Sequence, residues 1–266
     1  MTQIRKATLF AWANPLKAAP ILDHTWVTNY EIPPIHDNPP PPPKGDDYWW
    51  CWGIYHAVGS GGTHHQPYGA IGNGSANLEI TRNVVTPNDQ AAHGTIAYYG
   101  VDGVCHQLAN QTLYTTGDRD HEPLRVSDAR GYHLSTFFYK NYGLQQTAWK
   151  ETVAKYAPEI RVPDDDFSAI LNTLIAPSPE QLIKIEAVRL TAHTSLQAIR
   201  ENITKKSPEK IHIEIAAALA VALAEMHHIL GKSDFEKLFP PFDMIINGAW
   251  VDFNMVALCM NRSLDE

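Results

Sequence analysis

Cysteine is scarce in this chain of 266 residues, which has three. Cys51, Cys105 and Cys259 are too few and too widely spaced for the disulfide framework of a small secreted domain. The apolar run near the N-terminus is short and is broken by Asn14 and Pro15, so it does not fit the hydrophobic region of a signal peptide. We therefore expect a reducing, cytoplasmic setting.

Basic clusters and long apolar runs are also lacking. The formal net charge is −8 and the basic residues are dispersed, so nucleic acid is not an expected partner. The most apolar stretch, 213–223, contains Glu214 and predicts a buried helix rather than a membrane span. Hydrophobic residues make up 44% of the chain, enough for a large domain or a domain with a subdomain.

The first part of the chain, residues 1–143, is rich in aromatic residues, glycine and proline. Apolar segments at 22–30, 48–57 and 94–99 have the β-branched and aromatic content of short strands. Two segments between them predict connections. The five prolines at 39–43 cannot join a sheet ladder and predict a stiff surface connector. The glycine-rich stretch 59–74 predicts a loop without the ending of a phosphate-binding loop.

The second part, residues 144–266, has helical texture. Ser178 and Gln181 form a capping box with proline at the first helical position, and Ser207 precedes a second such start. Gly231 predicts the end of the latter helix. Helices are predicted at 147–156, from the aspartates 164–166 through 175, at 179–203 and at 208–231, with a last short helix between Ser233 and Pro240. We therefore predict two domains, 1–143 and 144–266.

Cys105 opens a predicted helix directly after a glycine-rich turn, since Val104, Leu108 and Leu113 recur at helical spacing. In the first turn of a helix, the dipole and the backbone N–H groups favour a thiolate and could hold an oxyanion. A nucleophilic cysteine is placed in this way. The more common role of a single cysteine is that of a small buried hydrophobic residue.

A nucleophilic cysteine needs a base, and His24 is the best placed of the 13 histidines. Its strand setting fixes the direction of the ring. His56 ends the second predicted strand and could orient the base. His106 is a poorer partner because it points about 100° around the helix from Cys105, and His93 is also weaker. Taken singly, each histidine is more commonly a surface or core residue.

This order of features resembles the circularly permuted papain-like proteins related to the NlpC/P60 group and to lecithin-retinol acyltransferase. Segment 23–27 (Asp-His-Thr-Trp-Val) is similar to their early histidine strand, and 103–110 (Gly-Val-Cys-His-Gln-Leu-Ala-Asn) to their cysteine helix. The resemblance covers roughly residues 15–140. It implies an α+β fold, a papain-like antiparallel sheet with a cysteine-bearing helix, to which a C-terminal helical subdomain is added.

The resemblance implies a thiol hydrolase or acyltransferase, with Cys105 as nucleophile and His24 as general base. The thiolate would attack an amide, ester or thioester carbonyl, and water or an amine would resolve the thioester. No cofactor is expected. Several polar residues compete for the third position: His56, Asp46, Asp47 and Cys51. Four aromatic residues could line the substrate groove, although strand packing is their commoner role: Trp49, Trp50, Trp52 and Tyr55.

A metal-binding helical protein is the main alternative. Glu209 and His212, and also Glu225 and His228, have the Glu-x-x-His spacing of di-iron helix bundles. The two pairs lie about 24 Å apart along one predicted helix, so they cannot share a dinuclear site. Glu186 and His193 on the preceding predicted helix could supply further ligands. His64 and His65 in the glycine-rich loop could form a separate metal site.

A non-catalytic binding protein on the papain-like fold is the third class. Aromatic strands, the polyproline segment and an acidic helical half would suit such a protein. In every class the role of the helical half is open: a lid, a dimer surface or a partner-binding module. The sequence leaves open a small-molecule or peptide substrate, a second copy of the chain and a protein partner.

Overall fold

The structure, a computed structural model, describes residues 6–15, 21–29, 31, 50–51, 69–77, 80–81, 96, 98–161, 165–247, 251, 253, 256–257 and 260. It contains both an antiparallel sheet and helices, which confirms the predicted mixture of α and β structure. The strands are β1 (Lys6–Pro15), β2 (Asp23–Thr28), β3 (Trp50–Cys51) and β4 (Gly69–Asn77). The helices are α1 (Cys105–Leu113), α2 (Tyr132–Tyr139), α3 (Gln146–Tyr156), α4 (Asp166–Leu174), α5 (Pro179–Glu201), α6 (Pro208–Leu238) and α7 (Phe242–Asn247).

The sheet has the order β3-β2-β1-β4, and all its pairs are antiparallel. In the β1–β2 register, Trp12 lies opposite Trp26 and Asn14 lies opposite His24. The predicted strand at 22–30 is confirmed as β2, and of the predicted strand at 48–57 the structure describes the two residues of β3. The sequence analysis does not predict β1.

The predicted loop at 59–74 is wrong for its last residues, which form β4 together with 75–77. Two glycines explain the error. A Cβ added to Gly72 would lie 3.1 Å from Leu124 Cδ1, and one added to Gly74 would lie 2.9 Å from Thr116 Cβ. Glycine therefore serves close packing on a strand here, rather than a turn.

The predicted strand at 94–99 is wrong at its end, where Tyr98 belongs to a turn. The backbone N–H groups of Val101 and Asp102 donate to the Tyr98 carbonyl, at 3.1 and 2.9 Å. The Asp102 carboxylate accepts the Tyr98 N–H at 3.1 Å, so this donor is not used in a sheet ladder. Gly100 has φ +79° and supplies the left-handed residue of the turn.

Helix ends in the second half follow the predicted signals. Ser178 accepts the Gln181 N–H and the Gln181 side chain returns the bond, which confirms the capping box of α5. Ser207 accepts the Lys210 N–H at the start of α6. Gly231 has φ 71° and ψ 165° within α6, so helical geometry is interrupted at the predicted end. The aromatic helix α2 is not predicted by the sequence analysis.

The chain groups into two compact units, each assembled from separate segments. The first contains Met1–Thr95, Cys105–Tyr132 and Gln145–Asp164. The second contains Ile96–Val104, His133–Leu144 and Asp165–Glu266. The predicted domains 1–143 and 144–266 are instead divided at one position in the sequence. This division stays a prediction.

Within the described part of the chain, α6 is long and apolar enough to cross a membrane. Its most apolar window of 18 residues has a mean hydropathy of 1.6, and 33% of that window is buried. Length and composition are the whole basis of this finding, since core helices of globular domains meet the same criteria. The expected absence of a membrane span is therefore not confirmed.

Candidate active site

Helix α1 begins at Cys105, as predicted, and it is buried although much of it is polar. None of its nine residues is more than 4% exposed. The buried polar residues are His106, Gln107, Asn110, Gln111 and Thr112. Because buried polar groups need hydrogen-bond partners, such a helix must be fixed by specific contacts as well as by hydrophobic packing.

Asn110 provides two of these contacts. Its Nδ2 donates to the Tyr132 hydroxyl at 3.1 Å, and its Oδ1 accepts the Val126 N–H at 3.0 Å. The His106 ring lies beside the same tyrosine, with ring centroids 6.1 Å apart. Sequence reasoning missed this role of Asn110. The sequence did offer a signal, because an amide side chain such as Asn110 on a helix with apolar residues indicates a buried hydrogen bond.

The start of α1 contacts the start of β2. The Cys105 Sγ lies 4.0 Å from the Asp23 carbonyl oxygen, at the long limit for a sulfur donor. The same oxygen lies 3.1 Å from His106 Nε2. His24, the predicted base, is the next residue of β2 and is 3% exposed. The structure thus brings the cysteine to the strand residue that directly precedes His24.

Burial changes the ionisation of His106. It lowers the pKa of this histidine to about 4, although the nearby Asp23 acts in the opposite direction. His106 is therefore neutral near pH 7, and its Nε2 must carry the hydrogen that it shares with the Asp23 carbonyl oxygen.

The ring of His24 belongs to a row of aromatic side chains across the sheet. It stacks with Trp26 at a centroid distance of 5.9 Å, and Trp26 stacks with Trp12 at 6.5 Å. Trp12 Nε1 donates to the Thr28 hydroxyl at 2.8 Å, which fixes the indole. Stacking of this kind restricts the directions in which an imidazole can point.

Most of the other predicted site residues lie outside the described residues: His56, Trp49, Trp52, Tyr55, His93, Asp46 and Asp47. Trp50 and Cys51 form β3, in which Trp50 pairs with Thr28. Thr28 is four residues beyond His24, which is about 13 Å along a strand. The third catalytic position and the aromatic groove therefore stay predictions.

The described residues contain no group of three or more histidine, cysteine, aspartate or glutamate side chains that could hold a metal ion. His212 Nε2 lies 2.8 Å from the Val251 carbonyl oxygen, and His193 Nε2 lies 3.3 Å from that of Phe137. Burial, and next to it the charge of Arg189, lower the pKa of His193 to about 4. His64 and His65 lie outside the described residues.

Comparisons of the chain with protein-family models, with curated proteins and with solved structures find no match. No relative therefore supplies a function or a set of site residues. The chemistry and geometry around Cys105 are therefore the basis for a proposed function.

Proposed function

We propose that this protein is a cysteine-dependent hydrolase or acyltransferase on a papain-like fold related to the NlpC/P60 group. Cys105 is the nucleophile and His24 is the general base. The observation that supports the proposal best is the 4.0 Å approach of the Cys105 Sγ to the Asp23 carbonyl oxygen, directly before His24. Cys105 at the start of α1 and His24 on β2 therefore lie on either side of one contact between these two elements.

The position of Cys105 in α1 favours nucleophilic chemistry. The first backbone N–H groups of a helix have no partner within the helix, and the dipole adds a partial positive charge there. Both stabilise a thiolate, and both would stabilise the oxyanion that forms when a carbonyl is attacked. Burial strengthens these interactions, but loss of water disfavours the charged thiolate, so the helix terminus and the imidazole must offset that cost.

His106 is the nearest competing base, and two observations favour His24 over it. Its pKa of about 4 makes His106 a weak proton acceptor near neutral pH. Its Nε2 is also occupied by the hydrogen bond to the Asp23 carbonyl oxygen. In the proposed mechanism His106 instead helps to hold α1 against β2.

The proposed reaction is acyl transfer in two steps. His24 takes the proton of Cys105, the thiolate attacks the substrate carbonyl, and His24 returns the proton to the leaving amine or alcohol. Water or an acceptor amine then attacks the thioester and regenerates the thiol. Because Cys105 is 4% exposed, the geometry favours a narrow acyl group at the end of a small molecule or peptide.

The proposal includes a reducing, cytoplasmic location, which keeps the thiol available. It requires no cofactor, since both steps need only the two side chains and the second substrate.

The pH dependence of Cys105 alkylation tests the proposal. Iodoacetamide labelling is followed by mass spectrometry, so that Cys105 is measured separately from the other two cysteines. We expect labelling of the wild type to continue well below the ordinary thiol range of about pH 8.5. In His24→Ala, we expect the midpoint of the pH–rate curve to rise by about one unit or more.

His121→Ala is the matched control, because this exposed histidine pairs with Asp118. It should leave the curve unchanged. A wild-type curve with an ordinary midpoint, or one that does not respond to loss of His24, contradicts the proposal.

A further inference from the structure

Asp23 is bound tightly to Arg130, which lies 107 residues further along the chain. Its Oδ1 accepts hydrogen bonds from Arg130 Nε at 3.0 Å and from Nη2 at 2.7 Å. Its Oδ2 accepts the Arg130 backbone N–H at 2.8 Å, and its own N–H donates to the Arg130 carbonyl at 2.9 Å. The Asp23 side chain is 9% exposed and that of Arg130 is 49% exposed, so the carboxylate is shielded from water while the guanidinium lies partly at the surface.

The neighbouring residues pack equally closely. Gly131 has φ +86°, and a Cβ added to it would lie 2.5 Å from Leu22 Cδ2. A larger residue would therefore meet both backbone strain and a steric clash. The segment 130–131 therefore contacts both Asp23 and the residue before it.

The opposite side of Asp23 faces the proposed site. Its carbonyl oxygen meets His106 Nε2 at 3.1 Å and the Cys105 Sγ at 4.0 Å. A single residue thus joins the Arg130 contact to the thiol and, through the backbone, to His24.

From this arrangement we infer that Asp23 and Arg130 are positioning residues, which hold the start of β2 so that His24 keeps its place relative to Cys105. This inference rests on the proposed function. The Asp23 carboxylate is occupied by the guanidinium, so its task is to fix the strand rather than to orient the imidazole directly. Sequence reasoning missed Arg130, because nothing local in the sequence links it to Asp23.

The test compares two substitutions of arginine by lysine. Arg130→Lys keeps the positive charge but cannot reproduce the Nε and Nη2 pair of hydrogen bonds. Arg189→Lys is the matched control. Arg189 also pairs with a carboxylate, that of Asp165, and it donates to the carbonyls of Thr136 and Phe137 within the second unit. Both changes weaken an ion pair between an arginine and a carboxylate, but only the first pair contacts the proposed site.

The expected result is a loss of reactivity that depends on His24. At neutral pH, Arg130→Lys should slow Cys105 alkylation by about 3- to 10-fold in the otherwise wild-type protein. In the His24→Ala background, Arg130→Lys should not slow the alkylation of Cys105 any further. Arg189→Lys should leave the rate unchanged in both backgrounds. A purely structural role, or a direct effect of charge on the thiol, would not depend on His24.

Two results overturn the inference and leave the proposed function intact, provided that His24→Ala itself slows the reaction. One is an unchanged rate in Arg130→Lys, and the other is equal slowing in both His24 backgrounds. If His24→Ala has no effect, the proposed function fails and the inference fails with it. Circular dichroism verifies folding. Asp23→Asn is the second variant if Arg130→Lys does not fold, and the same dependence on His24 is expected of it.

Discussion

Helix α1 is polar but buried, whereas helix α6 is apolar but partly exposed. Helix α1 is rich in polar residues, and no residue in it is more than 4% exposed. Helix α6 contains the most apolar stretch of the sequence, but Ile213 is 60% exposed and Val221 is 63% exposed. The predicted burial of 213–223 is correct for the inner positions, such as Ile215 and Leu219, and wrong for these two.

The difference shows what each helix contributes. Apolar residues on the inner face of α6 supply hydrophobic contact. The apolar residues on its other face remain at the surface, because only one face of the helix packs inward. The polar residues of α1 tolerate burial because they have defined partners, as Asn110 does. A buried polar helix is costly unless it is fully satisfied, so its geometry is tightly specified. A reactive thiol benefits from that precision.

The largest effect is expected on the inner face of α6. Leu219 is fully buried, and Leu219→Ala should reduce the free energy of unfolding by about 2–5 kcal/mol, because it removes packed methyl groups and leaves a cavity. Val221→Ala should change it by no more than about 0.5 kcal/mol. Urea denaturation measures both. Comparable losses would mean that the outer face is covered in solution and that the contrast with α1 is incomplete.

The next effect concerns the polar contacts of α1. Asn110→Ala removes one hydrogen bond from the Tyr132 hydroxyl and one from the Val126 N–H, and should lower the free energy of unfolding by about 2–3 kcal/mol. Gln197→Ala is the control on α5, since Gln197 is exposed and bonds Glu201. It should change stability by less than about 0.5 kcal/mol. Equal losses in the two variants would remove the distinction between buried and exposed amides.

The smallest effect follows from the pKa of His106, which is about 4 in the folded protein. The unfolded value is about 6.5. Between these values the unfolded state binds more protons, so stability should fall as the pH drops from about 7 towards 4. His106→Gln keeps a donor for the Asp23 carbonyl but cannot titrate. The loss of stability between about pH 7 and pH 5 should therefore shrink by about 1–2 kcal/mol.

His193→Gln should have a similar effect, because burial lowers the pKa of His193 in the second unit to about 4 as well. Calorimetric unfolding at the two pH values compares the variants, with the exposed His121→Gln as control. An unaltered pH dependence in His106→Gln would show that the start of α1 is open to water.

Local signals made much of the fold predictable. The start of α1 at Cys105 followed from the glycine-rich turn before it, and the capping box at Ser178 marked the start of α5 within a residue. Features that depend on distant segments were missed. The strand role of Gly74 depends on packing against Thr116, and the role of Arg130 depends on Asp23. His24 and Cys105 were predictable as candidates because each lies in a recognisable local element.

The contact between Asp23 and Arg130 also has a consequence for biosynthesis. The two residues are 107 positions apart, and Asp23 and Cys105 are 82 apart. At translation rates of about 5–20 residues per second, Arg130 leaves the ribosome roughly 5–20 seconds after Asp23. Cys105 precedes Arg130 by 25 residues (130 − 105), so for about 1–5 seconds a nascent chain carries the thiol but not yet Arg130. Under the proposed roles of Asp23 and Arg130, the site reaches its full reactivity only after Arg130 has emerged, when nearly half of the chain has been made.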